Sequence, residues 1–104
     1  METWAGRSDF KYSGSVETGT EIFYGKNNRY KATVTQEQYR ALLQKFIRRV
    51  VPVGTSRTNP PQESLGFWLK ENVTKTAIAS YVAPILIHEG YAKRDGDHDI
   101  QIVK

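Results

Sequence analysis

Apolar and polar positions follow two different periods along this chain. Tyr30, Ala32 and Val34 alternate with Arg29, Lys31 and Thr33, the period of a half-buried strand. Ile22, Phe23 and Tyr24 are strand formers, and Gly25-Lys26-Asn27-Asn28 between the two runs is turn chemistry. The pattern predicts a β-hairpin over 20–34, with a third strand over Phe10–Val16. From residue 36 the period lengthens. Tyr39, Leu42, Leu43, Phe46, Ile47 and Val50 form one helical stripe, and Thr35 with Gln38 makes a capping box. This predicts a helix over 36–50. Residues 51–63 hold Pro52, Gly54, Pro60 and Pro61 and read as a long loop. A helix over 64–72 is expected from the Ser64 cap and the Leu65, Trp68, Leu69 face, with Phe67 and Trp68 anchoring it between helices. Thr74 and the stripe Ala77, Ile78, Tyr81, Val82, Ile85, Leu86 predict a third helix over 74–89. Pro84 must kink or split it, and Gly90 is placed to cap it. Tyr91–Arg94 and Ile100–Val103 read as a hairpin around Asp95-Gly96-Asp97-His98-Asp99. Residues 1–9 carry little pattern and read as a loose leader.

From residue 64 onward the order is helix, tight turn, helix, glycine, strand, acidic turn, strand. This order resembles a winged helix-turn-helix domain. The stretch Ser80-Tyr81-Val82-Ala83-Pro84-Ile85-Leu86-Ile87-His88-Glu89-Gly90-Tyr91-Ala92-Lys93-Arg94 is similar to a recognition helix running into its wing. The resemblance covers roughly 36–104, with helix 36–50 as the first of three helices. It departs from the family at Pro84, at the long loop 51–63, and at residues 1–34, which have no required counterpart. The expected fold is α+β, in one domain over 1–104. It has a three-helix winged-helix-like core over 36–104, a C-terminal β-hairpin wing and an extra N-terminal β-hairpin.

Composition adds a partner and removes several chemistries. The chain has 104 residues and a formal net charge of +4, which favours an anionic partner. Arg40, Lys45, Arg48, Arg49 and Arg57 fall in a stretch without an acid, while Asp95, Asp97 and Asp99 gather elsewhere. The absence of cysteine excludes disulfides and thiolate metal sites. No apolar run reaches membrane-spanning length and no signal peptide is visible, so no membrane partner and a cytoplasmic location are expected. No nucleophile elbow, Walker sequence or Ser/His/Asp constellation is present, so no enzyme, cofactor or metal is expected.

The resemblance implies double-stranded DNA as partner. Lys75, Thr76 and Ser80 would reach the major groove from the third helix, with small Ala79 and Ala83 beside them. Arg48, Arg49, Arg57, Lys93 and Arg94 would touch phosphates. For Lys93 and Arg94 an ordinary charged hairpin is the equal alternative. For Arg57, in Gly54-Thr55-Ser56-Arg57-Thr58-Asn59, it is a packed turn. The Asp95–Asp99 turn is similar to part of a calcium loop but lacks the closing glutamate. His88 reads as structural. Tyr12, Phe23, Tyr24 and Tyr30 could stack on single-stranded bases, or pack into the core. The competing functions are a protein–protein module, including a homodimer, and an accessory domain of a longer chain.

Overall fold

A computed structural model describes all residues, Met1–Lys104. The chain is α+β, with three helices and two small antiparallel sheets. β1 (Lys11–Ser15), β2 (Gly19–Tyr24) and β3 (Tyr30–Thr35) form a meander in that order. Register sets Thr20 opposite Val34 and Ile22 opposite Ala32. All four are buried, while Glu21, Lys31 and Thr33 between them are exposed. That is the alternation of a sheet with one face on the core.

Thr35 ends β3 and caps α1 (Gln36–Phe46) with no connecting residue. Its hydroxyl accepts from the Gln38 amide at 3.1 Å, and Gln38 Oε1 accepts from the Thr35 amide at 2.8 Å. The helix predicted to Val50 stops at Phe46. Arg48 takes a left-handed conformation (φ 57°) and turns the chain into β4 (Val50–Pro52). Val51 then buries opposite Ile100, and the stripe residues Ile47 and Val50 stay 51% and 49% exposed. Strand pairing outweighs helical periodicity here, as tertiary context can. β4 is an edge strand, so Pro52 costs no inner ladder bond.

α2 (Leu65–Asn72) starts where expected, with the Ser64 hydroxyl accepting from the Phe67 amide at 3.0 Å. Gly66 lets its first turn lie on the preceding loop. The Gly66 amide donates to the Val53 carbonyl at 2.8 Å, and a Cβ at this position would collide with the Gly54 carbonyl.

α3 (Ala79–His88) begins five residues later than predicted. Thr74 does not cap it. The Thr74 hydroxyl accepts from the Thr76 amide in a local turn, and Lys75 and Thr76 precede the helix. Pro84 sits inside an unbroken α3. Proline offers no amide to the carbonyl one turn back, that of Ser80, and the Trp4 amide donates to it instead at 2.9 Å. The amides of Gly90 and Tyr91 close the helix on Ile87 and Leu86. β5 (Ala92–Asp95) and β6 (Asp99–Ile102) follow, and the second sheet runs β4-β6-β5.

The leader is not loose. The Phe10 amide donates to the Met1 carbonyl at 2.8 Å and the Thr3 amide to Ser8 at 3.0 Å. Trp4 and Phe10 are buried, and the Trp4 indole N–H donates to the Asp97 carbonyl at 2.7 Å. This segment lies along the outside of α3 and completes one continuous core that both sheets and all three helices share.

Candidate nucleic-acid interface

An open cleft of about 620 Å³ lies where three parts of the chain meet. The β2–β3 hairpin supplies Tyr24, Gly25 and Tyr30. The loop between β4 and α2 supplies Arg57. The turn before α3 and its first residues supply Lys75, Thr76, Ala77 and Tyr81. No carboxylate lines it. Arg57 and Lys75 are exposed and have no ion-pair partner; Lys31, bonded to Glu21, is the only basic side chain in one.

The wall of the cleft is a ladder of rings. Tyr81 meets Phe10 edge-on at 5.2 Å between centroids. Tyr24 stacks on Tyr81 at 4.9 Å and on Tyr30 at 5.7 Å, with interplanar angles of 26° and 28°. The ladder starts at the core, where Phe10 is buried, and ends at Tyr30, which is 55% exposed. Hairpin register explains the outer step, because Tyr24 and Tyr30 are direct cross-strand partners. Gly25 (φ 82°) is required beside them, since a Cβ there would strike the Tyr30 ring.

Local bonding fixes Arg57 at the rim. The Ser56 hydroxyl accepts from the Asn59 amide at 3.0 Å, and Lys70 Nζ donates to the Arg57 carbonyl. The guanidinium is left for the cleft. Burial raises the Tyr81 hydroxyl above its ordinary pKa, with Tyr24 adding to the shift and the Arg57 charge opposing it. Arg57 and Tyr81 line the same cleft.

The other sequence candidates go elsewhere. Ser80 is half-buried and lies outside this cleft, with its carbonyl accepting the Trp4 amide. Pro84, Ile87 and His88 line a cleft whose opposite side is Met1–Gly6. The N-terminal segment runs along this side of α3, Lys75 and Thr76 precede the helix and Ala79 and Ala83 are buried, so Lys75, Thr76 and Ser80 do not form one helical reading face. Arg94 is exposed and lies outside this cleft, tethered to the N-terminal segment. Its Cζ lies 4.0 Å from the Trp4 ring centroid, and its side chain donates to the Trp4 carbonyl at 3.1 Å and the Gly96 carbonyl at 3.0 Å. Lys93 is exposed on β5, opposite Gln101. Arg48 is exposed in the turn after α1, and Arg49 lines a separate cleft that also holds Glu63 and Glu71. Of the eight basic and hydroxyl candidates, the cleft gathers Arg57, Lys75 and Thr76. Tyr81 was hidden in the sequence because it falls on the apolar stripe of α3. The signal that could have found it is the sequence's other tyrosines, flagged for stacking at Tyr24 and Tyr30.

No group of three or more His, Asp or Glu side chains is placed to hold a metal ion, the Asp95–Asp99 turn included. No helix is long and apolar enough to cross a membrane. Comparison with protein-family models, with curated proteins and with solved structures returned no match.

Proposed function

We propose that this protein is a non-catalytic nucleic-acid-binding module that holds the sugar-phosphate backbone at the Arg57–Lys75 cleft. The observation that carries this reading is the pairing of two exposed, unpartnered cations with a tyrosine surface in a cleft without a carboxylate. Cations supply the salt-dependent part of nucleic-acid affinity, and rings supply base contact. The order α1, β4, α2, α3, β5, β6, with the sheet running β4-β6-β5, supports a winged-helix-like core. The mode of contact differs from the one that resemblance implies. With Trp4 and its neighbours along α3, the helix does not enter a groove; the nucleic acid crosses the turn before it.

The test is fluorescence anisotropy with labelled nucleic acid, repeated over a range of salt. Binding that weakens steeply with salt is expected. No binding to single strand or duplex at low salt would overturn the proposal.

One observation favours a second reading, a protein–protein module. β4 is an edge strand whose first residue, Val50, is exposed, as is Ile47 just before it. Such an edge can accept a strand from a partner or a second copy. A concentration-dependent dimer on a sizing column, lost in Val50→Lys, would support it.

A further inference from the structure

Resting on the nucleic-acid reading, we infer that the cleft selects unpaired bases, and that Tyr30 is the platform on which one stacks. Three features of the site lead there. The ring that terminates the ladder is the one left exposed, and an exposed aromatic face next to cations is what a base needs for stacking. The ring is backed by Tyr24, itself stacked on Tyr81, and packs against Gly25, so it is ordered before any ligand arrives. Arg57 and Lys75 line the same cleft as Tyr30, so a nucleotide there would give its base to the ring and its phosphate to a cation.

Duplex DNA cannot use this arrangement without opening. Its base faces are covered by neighbouring pairs, and taking one out of the stack costs a few kcal/mol. A single strand, an overhang or a gap presents base faces freely. Stacking is tolerant of sequence because every base has a π-face, so a general preference for unpaired strands is expected. The turn residues Lys26 and Arg29, both exposed between β2 and β3, would extend the positive track past Tyr30.

The experiment uses the full chain with labelled oligothymidylate and a labelled duplex of equal length. It compares the parent with Tyr30→Leu and Tyr30→Phe. Expected is tighter binding of the single strand than of the duplex. Tyr30→Leu should weaken the single strand by about tenfold, the effect of losing one stacked base. Tyr30→Phe, which keeps the ring, should bind like the parent. Tyr30 lies on the exposed edge of the hairpin, and unchanged circular dichroism and melting will show that both variants fold. Equal binding of strand and duplex, with Tyr30→Leu indistinguishable from the parent, overturns this inference and leaves the backbone-binding proposal standing. No binding to either probe overturns both. Displacement of the single strand by polyglutamate at equal charge concentration means that the cleft reads charge alone, which also overturns it.

Discussion

The carbonyl of Ser80, which has no helical donor because residue 84 is proline, accepts the Trp4 amide at 2.9 Å. A helix defect is thereby the docking point of the N-terminal segment. Pro84→Ala would give the helix its own donor and set it in competition with Trp4. The expected result is faster hydrogen exchange at the Trp4 amide, by about tenfold, or roughly the 1.4 kcal/mol of one hydrogen bond. The remaining α3 amides should stay as protected as before. Unchanged Trp4 exchange would show that indole packing alone docks the segment.

Trp4 also holds Arg94 and the Asp97 carbonyl, so it joins the N-terminus to the β5–β6 hairpin. Trp4→Ala should destabilise the fold by about 3 kcal/mol in urea unfolding, as for other buried aromatics. Arg94→Ala should cost about 1 kcal/mol through the lost cation–π contact. It should leave nucleic-acid affinity within about twofold of the parent, because Arg94 lies outside the Arg57–Lys75 cleft. A large loss of affinity with little loss of stability would return Arg94 to the binding surface.

The sheet–helix join at the other end of α3 runs through Glu89. Its carboxylate accepts from the Tyr12 hydroxyl at 2.7 Å and the Val16 amide at 2.9 Å. Burial, and then Glu89, push the Tyr12 hydroxyl up to about 12, and burial raises Tyr39 as well, against the opposing effect of its Thr20 bond. A tyrosine in the unfolded chain loses its proton near pH 10. The stabilisation is therefore complete below about pH 10 and is lost as pH rises through the folded-state value. Urea midpoints should be level up to that point and then fall. Tyr39→Phe should make the fall shallower, and a midpoint that stays flat above about pH 10 contradicts this account.

Gly66→Ala tests how the Arg57 loop is seated. The added methyl would meet the Gly54 carbonyl, and α2 would have to move off the loop. A loss of about 2 kcal/mol is expected from such overpacking. A parent-like melting temperature would mean that the loop moves freely beneath α2.

Much of this architecture was legible in the sequence, and what was not has identifiable causes. The caps at Thr35 and Ser64 act within a few residues, so the starts of α1 and α2 could be read directly. The ends could not. Whether Val50 continues a helix or starts a strand depends on Ile100, far along the chain, and on the left-handed turn at Arg48. Thr74 resembles a cap, yet its hydroxyl accepts from the Thr76 amide in a local turn and α3 starts only at Ala79, beyond Lys75. The packing of residues 1–9 was invisible because it rests on one indole and a carbonyl freed by Pro84. The cleft was half visible. Arg57, Lys75 and the hairpin tyrosines stood out one at a time, but nothing local tells that β2, the Arg57 loop and the turn before α3 meet.

If Arg57 and Lys75 hold the phosphates, both contribute to the salt dependence of binding. Single-strand affinity should be measured by anisotropy across salt concentrations for the parent and for Arg57→Ser with Lys75→Ser. Each lost phosphate contact flattens the slope of log affinity against log salt by about 0.7, so the double variant should be shallower by about 1.4. A double variant with the parental slope would rule out Arg57 and Lys75 as phosphate ligands and place the contacts elsewhere on the surface.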